Sequence, residues 1–334
     1  MNPALQGLVT IVVGVGGCVS YFYFSNLFLD KVLFPARGPN TGRNINRANM
    51  IRPWLFLAPA LIALSVYLAY PVVETLRLSL SQRMPGGGST FVGLDNYIRM
   101  AGEPKFWEAL RNNFLWLLIV PAFSTAFGLL AAQLTDRIGW GSAAKSLIFM
   151  PMAISFVGAA VIWKLVYDAR PPDVAQIGIL NAVVVQLGGA PQTWLTMPFW
   201  NSVFMMIVLI WIQTGFAMVI LSAALRGVPE DTVEAAIVDG ASPFQIFFKI
   251  KVPQIMGTIV VVWTTITIVV LKVFDIVFAM TNGQWETQVL ANYMYDKLFR
   301  ANDWGIGSAS AMVIMLLVTP ILVWNVYNAR KEMR

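Results

Sequence analysis

The sequence predicts an all-α integral membrane protein with about seven transmembrane helices, and three observations carry that prediction. Only 12% of the 334 residues are charged, against about 25% in soluble domains. Hydrophobic residues make up 57% of the chain, and its mean hydropathy is +0.68. Apolar stretches recur at about 5–28, 54–75, 113–135, 146–167, 201–225, 257–279 and 306–327, each near the roughly 20 residues that carry a helix across a hydrocarbon core.

The first stretch follows MNPALQG, which has no basic n-region, and no A-x-A-like site ends it. It reads as a retained helix rather than a cleaved signal peptide. Its Gly14, Gly16 and Gly17 suit close packing against another helix. Cys18, the single cysteine, excludes a disulfide framework within the chain. Basic residues in short loops mark the cytoplasmic side. The segment 30–53 holds Lys31, Arg37, Arg43, Arg47 and Arg52 against Asp30, and the tail carries Arg330, Lys331 and Arg334. Both face inward on this rule, as do loops 136–145 and 226–255, and the N-terminus comes out external. The segment 76–112 then falls outside despite Arg77, Arg83, Arg99, Lys105 and Arg111, because reversal would expel two stronger basic loops. Its Gly86-Gly87-Gly88 turn, FVGLDNYIRM and FWEALRNN predict short amphipathic pieces at the membrane surface. Residues 169–199 are too short and interrupted to span, and no internal repeat is evident.

The formal charge of +6 reads as cytoplasmic loops rather than a nucleic-acid surface. The chain has no histidine, which removes the commonest proton relay, metal ligand and general base. No catalytic, metal or cofactor site is expected.

The stretch RGVPEDTVEAAIVDGASPFQIFFKIKVPQI, 226–255, interrupts two apolar segments. Pro229 suits a first helical position, with Glu230 and Asp231 in the first turn where carboxylates complement the helix dipole. The helix runs to Gly240, a C-terminal stop. Ser242-Pro243 starts a second helix that Pro253 closes. Glu230, Glu234 and Asp239 face water in this reading, while Ala235 and Ala236 keep the surface low for close approach by another protein. Connections are usually under about 8 residues, so an ordered hairpin of this length points to a docking element rather than a plain connector.

The pattern Glu234-Ala235-Ala236, Gly240, Ile250 and Pro253 resembles the EAA loop of importer-type ABC permeases. The resemblance covers most of the chain after residue 50 and is narrower still, to sugar permeases of the maltose type. It is carried by WLFLAPALIALSVYLAYPVVETLRLSL (54–80), FVGLDNY (91–97), FWEALRNN (106–113) and the loop itself. Gly178, Asn181, Gly188, Trp194 and Leu195 match an external pattern, and Lys272, Phe274, Asp275, Thr281, YMYDKLF and GIGSASA complete it. Asn282-Gly283-Gln284 departs from the family's Gly-Gly-Pro. The resemblance implies a six-helix permease core over 51–334, with an extra N-terminal helix and basic loop over 1–50. It implies a subunit of a binding-protein-dependent importer in the bacterial inner membrane, moving a di- or oligosaccharide such as an alpha-glucoside. Expected partners are cytoplasmic ATP-binding subunits that hydrolyse the ATP, a second homologous permease, an external binding protein and lipid. Glu234 would face the ATPase, Gly240 would permit the turn, and Ile250 and Pro253 would pack the loop against its bundle.

Other signals are weaker. Gly139 to Ser146 nearly spells a phosphate-binding loop, but Ala144 replaces its second glycine and no strand precedes it, so Lys145 reads as a positive-inside anchor. Lys272 and Asp275, three apart on one helix, are expected to pair, and Lys164 lies toward a span end. A sugar site needs aromatic faces and amide or hydroxyl groups. Gln213 and Thr214 beside Trp211 and Phe216, and Thr265 with Thr264 and Thr267, are mid-span candidates, against helix–helix hydrogen bonding as the plain alternative. Trp54, Trp194 and Trp200 read as interface anchors. The rival function, an ion-coupled carrier or channel, predicts mid-membrane ionisable residues or broken-helix repeats and leaves the long loop unexplained.

Overall fold

The computed structural model describes residues 3–37, 40–84 and 86–332; Arg334 and the first two residues, which enter the orientation argument, lie outside these. The chain forms two compact units, Met1–Glu74 and Thr75–Arg334. They divide within the helical run Thr41–Ser79.

In the first unit, α1 (Pro3–Phe28) continues through a π turn, Leu29–Leu33. The second run comprises α2 (Thr41–Leu64), a π turn (Ser65–Ala69) and α3 (Tyr70–Ser79). Arg43, Arg47 and Arg52 therefore lie on helix rather than in a loop. The Tyr21 hydroxyl donates to Leu55 O at 2.9 Å, Phe22 meets Phe56 at 5.4 Å, and Arg52 binds Asp30 through both carboxylate oxygens. These contacts sit toward the C-terminal end of α1. A Cβ added at Gly14, Gly16 or Gly17 would meet nothing within 4 Å, so within the first unit, among the described residues, the expected close packing is not seen.

The second unit opens with a hairpin, β1 (Ser81–Arg83) antiparallel to β2 (Ser89–Phe91), where amphipathic pieces are expected from sequence. Gly86, Gly87 and Gly88 all take positive φ, which lets the chain reverse where other residues are strained. After α4 (Asp95–Ala101) comes α5 (Pro104–Thr135). The FWEALRNN segment is the start of α5, so this span begins at Pro104 rather than 113. The expected span 146–167 is a bent pair, α6 (Gly141–Phe149) and α7 (Phe156–Val166), at 104°. Between them Pro151 sits in a 3-10 turn, and Ser155 Oγ caps α7 by accepting from Gly158 N.

The segment after α7, expected from sequence to be external, holds α8 (Ile179–Gln186). Buried Asn181 ties it together, donating to Asp168 O and Gln192 O, each at 2.9 Å, and accepting from Gln192 N. Central to the unit is α9 (Trp200–Arg226). The loop carries α10 (Glu230–Val238), α11 (Pro243–Gln245), a π turn (Ile246–Lys251) and α12 (Val252–Gln254), then bends by 72° into α13 (Met256–Leu271). The expected span 257–279 thus ends at Leu271. The backbone leaves the helix at Lys272–Phe274 before α14 (Asp275–Met280). Lys272 and Asp275 are consequently on different segments, and among the described residues no ion pair joins them. The chain closes with α15 (Leu290–Tyr295), a π turn (Asp296–Arg300) and α16 (Trp304–Glu332).

Among the described residues five helices are long and apolar enough to cross a membrane, and the two bent pairs bring the spans to seven. The core of the second unit joins α5, α9 and α13 through Trp116, Val120, Leu209, Met218, Val262 and Ile266. At Gly128 a Cβ would lie 2.4 Å from that of Ala217, so α5 and α9 meet at backbone distance. Small residues of this kind let membrane helices gain dispersion contact where no hydrophobic drive separates helix from lipid. Loops 136–145 and 226–255 share one end of the unit. At the other, Asn112 and Asn201 donate to the carbonyls of Glu286 and Trp285.

Candidate coupling site

Past Arg226 the chain turns at Gly227 and enters α10, with Pro229 as N-cap, one place earlier than expected. Glu230 and Asp231 occupy the first turn, where their charge offsets the helix dipole. The exit is a Schellman motif. Ala241 N donates to Ala236 O at 2.9 Å and Gly240 N to Ile237 O at 3.0 Å, with Gly240 at φ +77°. Ser242 starts α11 through a reciprocal capping box with Gln245: Ser242 N donates to Gln245 Oε1, and Gln245 N to Ser242 Oγ. Both turns of the hairpin are therefore specified locally.

Pro253 does not close the second helix. Lacking an N–H and crowding the carbonyl one turn back, a helical proline forces local widening. Here Val252 N reaches five residues back to Phe247 O, and the bend falls at Ile255. The extra residue of the π turn rotates the helix beyond it by about 100°. That rotation corrects the expected packing. Pro253 is exposed and Ile250 half-buried, while Ile246 is buried and Phe247 and Ile255 join the core of the bundle. On α10 the two alanines separate likewise: Ala236 is buried and Ala235 is exposed.

Glu230, Glu234 and Asp239 are exposed as expected, and so is Gly240. Beside them stand four apolar side chains that sequence reasoning missed: Ile237, Val238 (87% exposed), Phe244 (72%) and Phe248. The rings of Phe244 and Phe248 are 4.5 Å apart. The signal was present, since Ile237-Val238 precedes the glycine stop and Phe244 and Phe248 are spaced i, i+4.

At the root of the loop lies a charge cluster that sequence reasoning also missed. Asp136, at the C-terminal end of α5, accepts from Arg226 Nη2 at 2.8 Å and Nε at 3.1 Å and from Ser222 Oγ at 3.1 Å, and is paired with Lys145. Lys145 Nζ also donates to Ser222 Oγ at 2.6 Å. Lys145 is thus a fixed partner of Asp136, not a free anchor at the interface. Burial opposes ionisation of Asp136, but hydrogen bonds from Lys145, Arg226 and Ser222 outweigh it and hold the carboxyl below its ordinary 3.8. Between this cluster and α10 opens a cleft of about 590 Å³, lined by Asp136, Arg226, Val228, Glu230, Glu234 and Lys251 among others.

The mid-span candidates are differently placed. Gln213 is buried on α9. The hydroxyls of Thr214, Thr264, Thr265 and Thr267 donate to carbonyls one turn back on their own helices, at 2.7–2.8 Å. This back-bonding satisfies each threonine hydroxyl without a neighbouring helix, and among the described residues these hydroxyls make no helix–helix hydrogen bond. Trp211 meets Trp163 at 5.6 Å. Trp194 packs on Phe204 at 5.2 Å, half-buried, whereas Trp54 and Trp200 are exposed.

With the bundle and its helical hairpin described, comparison with known proteins decides the family. Residues 100–333 match the family model described as binding-protein-dependent transport system inner membrane component. The chain belongs to this family. It is 62% identical to the alpha-glucoside transport system permease protein AglF of Rhizobium meliloti, over 99% of both chains. It is 46% identical to the osmoprotective compounds uptake permease protein GgtC of Synechocystis, over 84% of this chain and 100% of that one. The lactose transport system permease protein LacF of Rhizobium radiobacter is 30% identical, over 86% and 97%. A bacterial ABC transporter involved in importing the acidic polysaccharide alginate has the same fold, with TM-score 0.73 and 20% identity, over 87% of this chain and 99% of that one. The family member is accordingly an inner-membrane permease component of a binding-protein-dependent importer, and the ion-coupled carrier is set aside.

Proposed function

We propose that this permease translocates an alpha-glucoside or closely related oligosaccharide, and that α10 and its flanking turns dock into cytoplasmic ATP-binding subunits. ATP is hydrolysed on those partners. A second homologous permease completes the pathway, and an external binding protein delivers the sugar. The observation that carries the docking reading is that Ile237, Val238, Phe244 and Phe248 are all exposed on the segment that also exposes Glu230, Glu234 and Asp239. Outside the bilayer such exposure leaves apolar surface in water, and burying one side chain of this size gains about 1.5–3 kcal/mol. Ala235 and Gly240 are small and exposed on the same segment, which lets a partner backbone approach. Closure of the ATP-binding subunits then drags α10, and the bundle reorients between inward- and outward-facing states as largely rigid bodies.

The sugar assignment is supported by the extent of identity to the alpha-glucoside permease of Rhizobium meliloti. Gln213 is the candidate polar group on the pathway, with Thr214 and Thr265 as further candidates. Their hydroxyls keep acceptor capacity while donating to the helix. The deciding experiment is uptake of a radiolabelled alpha-glucoside by cells expressing the complete system. Competition by unlabelled alpha-glucosides but not by lactose is expected. Undiminished lactose competition, or uptake that survives deletion of the ATP-binding subunit, would overturn the proposal.

A further inference from the structure

The coupling segment is attached to the bundle at two ends, and the attachments differ physically. At its start, Arg226 is the last residue of α9, and its guanidinium is fastened to Asp136. Asp136 also holds Ser222 of α9 and Lys145 of α6. One carboxylate therefore joins the cytoplasmic ends of α5, α6 and α9. Those helices are locked further along as well. Gly128 of α5 lies against Ala217 of α9, and a Cβ on Gly215 of α9 would be 2.7 Å from Ile148 O of α6. At its finish, the segment passes through a π turn and a 72° bend at Ile255, and no ion pair among the described residues spans that bend. Between the two ends α10 stands over the open cleft rather than resting on α5.

We infer that Asp136 is a positioning residue for transport. It clamps the root of the coupling segment, so that displacement of α10 reaches α5, α6 and α9 as one block while the bend at Ile255 yields. The inference rests on the reading that ATP-binding subunits engage α10. A packed block transmits a push because close-packed interfaces shift between discrete arrangements instead of deforming smoothly. Without the clamp, the same push opens the cleft and leaves the block behind.

The test compares wild type, Asp136→Asn, Asp136→Glu and Arg226→Met in the complete importer reconstituted in proteoliposomes with its binding protein. Three quantities are read: retention of the ATP-binding subunits, ATP hydrolysed, and sugar imported per ATP. In Asp136→Asn the subunits are retained and ATP is still hydrolysed, while sugar imported per ATP falls at least fivefold. Asp136→Glu recovers part of the loss. Arg226→Met, whose side chain is 68% exposed and so tolerates replacement, shifts the ratio the same way by a smaller factor. It decides the matter alone if Asp136→Asn fails to assemble. A role confined to stability would lower assembly and leave the ratio unchanged in what remains. An unchanged ratio with subunits retained overturns the clamp and leaves the docking proposal standing. Absence of ATP-binding subunits from the wild-type complex overturns both.

Discussion

Gly240 offers the cleanest perturbation of the hairpin, because the glycine is needed for its backbone and not for space. Its φ is +77°, and a Cβ built there meets nothing within 4 Å. Gly240→Ala therefore adds no clash, and its cost is that of holding an L-residue in the left-handed region, about 1–2 kcal/mol. At 1.4 kcal/mol per tenfold, the native turn loses a factor of roughly 5 to 30 against alternatives that splay α10 from α11. Asparagine tolerates this conformation far better. Affinity of the ATP-binding subunit for solubilised permease, titrated for both variants, separates conformational strain from lost contact. A drop of about 5- to 30-fold for Gly240→Ala and a much smaller one for Gly240→Asn is expected. Equal losses for the two, or none for alanine, would refute the argument that the Schellman turn sets the docking geometry.

Val238→Asp, at a position 87% exposed, should leave membrane insertion and thermal stability of the isolated permease unchanged while abolishing co-purification of ATP-binding subunits. Gly128→Leu forces side chain into the α5–α9 contact, where overpacking costs about 1–3 kcal/mol or more; a lower melting temperature in detergent and reduced membrane yield check this. The Asp136 cluster has a defined pH sense. Its folded carboxyl titrates below the ordinary 3.8 because Lys145, Arg226 and Ser222 donate to it. Its contribution to stability is therefore complete above about pH 5 and is lost as pH falls through the depressed value. Wild-type stability should be flat from pH 8 to 5 with respect to this group, and the difference between wild type and Asp136→Asn should shrink only in stronger acid.

The coupling segment shows how far local chemistry reaches and where it stops. Pro229, Glu230, Gly240 and Ser242 act through their own backbone or a residue three or four away, so the hairpin's two turns are legible in the chain itself. Pro253 marks the limit. Its disruption of the helix is a local certainty, yet the response was a π turn and a bend at Ile255 rather than a stop. That choice turned Ile246, Phe247 and Ile255 inward and left Pro253 exposed. Likewise the apolar run 146–167 predicts material at membrane depth, but hydropathy carries no direction, and the 104° bend around Pro151 is decided by what α6 and α7 pack against.

By itself, then, the sequence determined an all-α membrane bundle, the approximate positions of its spans, the hairpin at 226–255 and the family to which it belongs. Each follows from composition, from length against bilayer thickness, from turn chemistry within a few residues, or from a motif those turns spell out. Only the tertiary structure brought Asp136, Lys145, Ser222 and Arg226 together, separated Lys272 from Asp275, and turned Ala236 inward while leaving Val238 exposed. Asp136 and Arg226 are joined across two spans by the close meeting of α5 and α9. Contacts of that range depend on how helices cross, which no local pattern records.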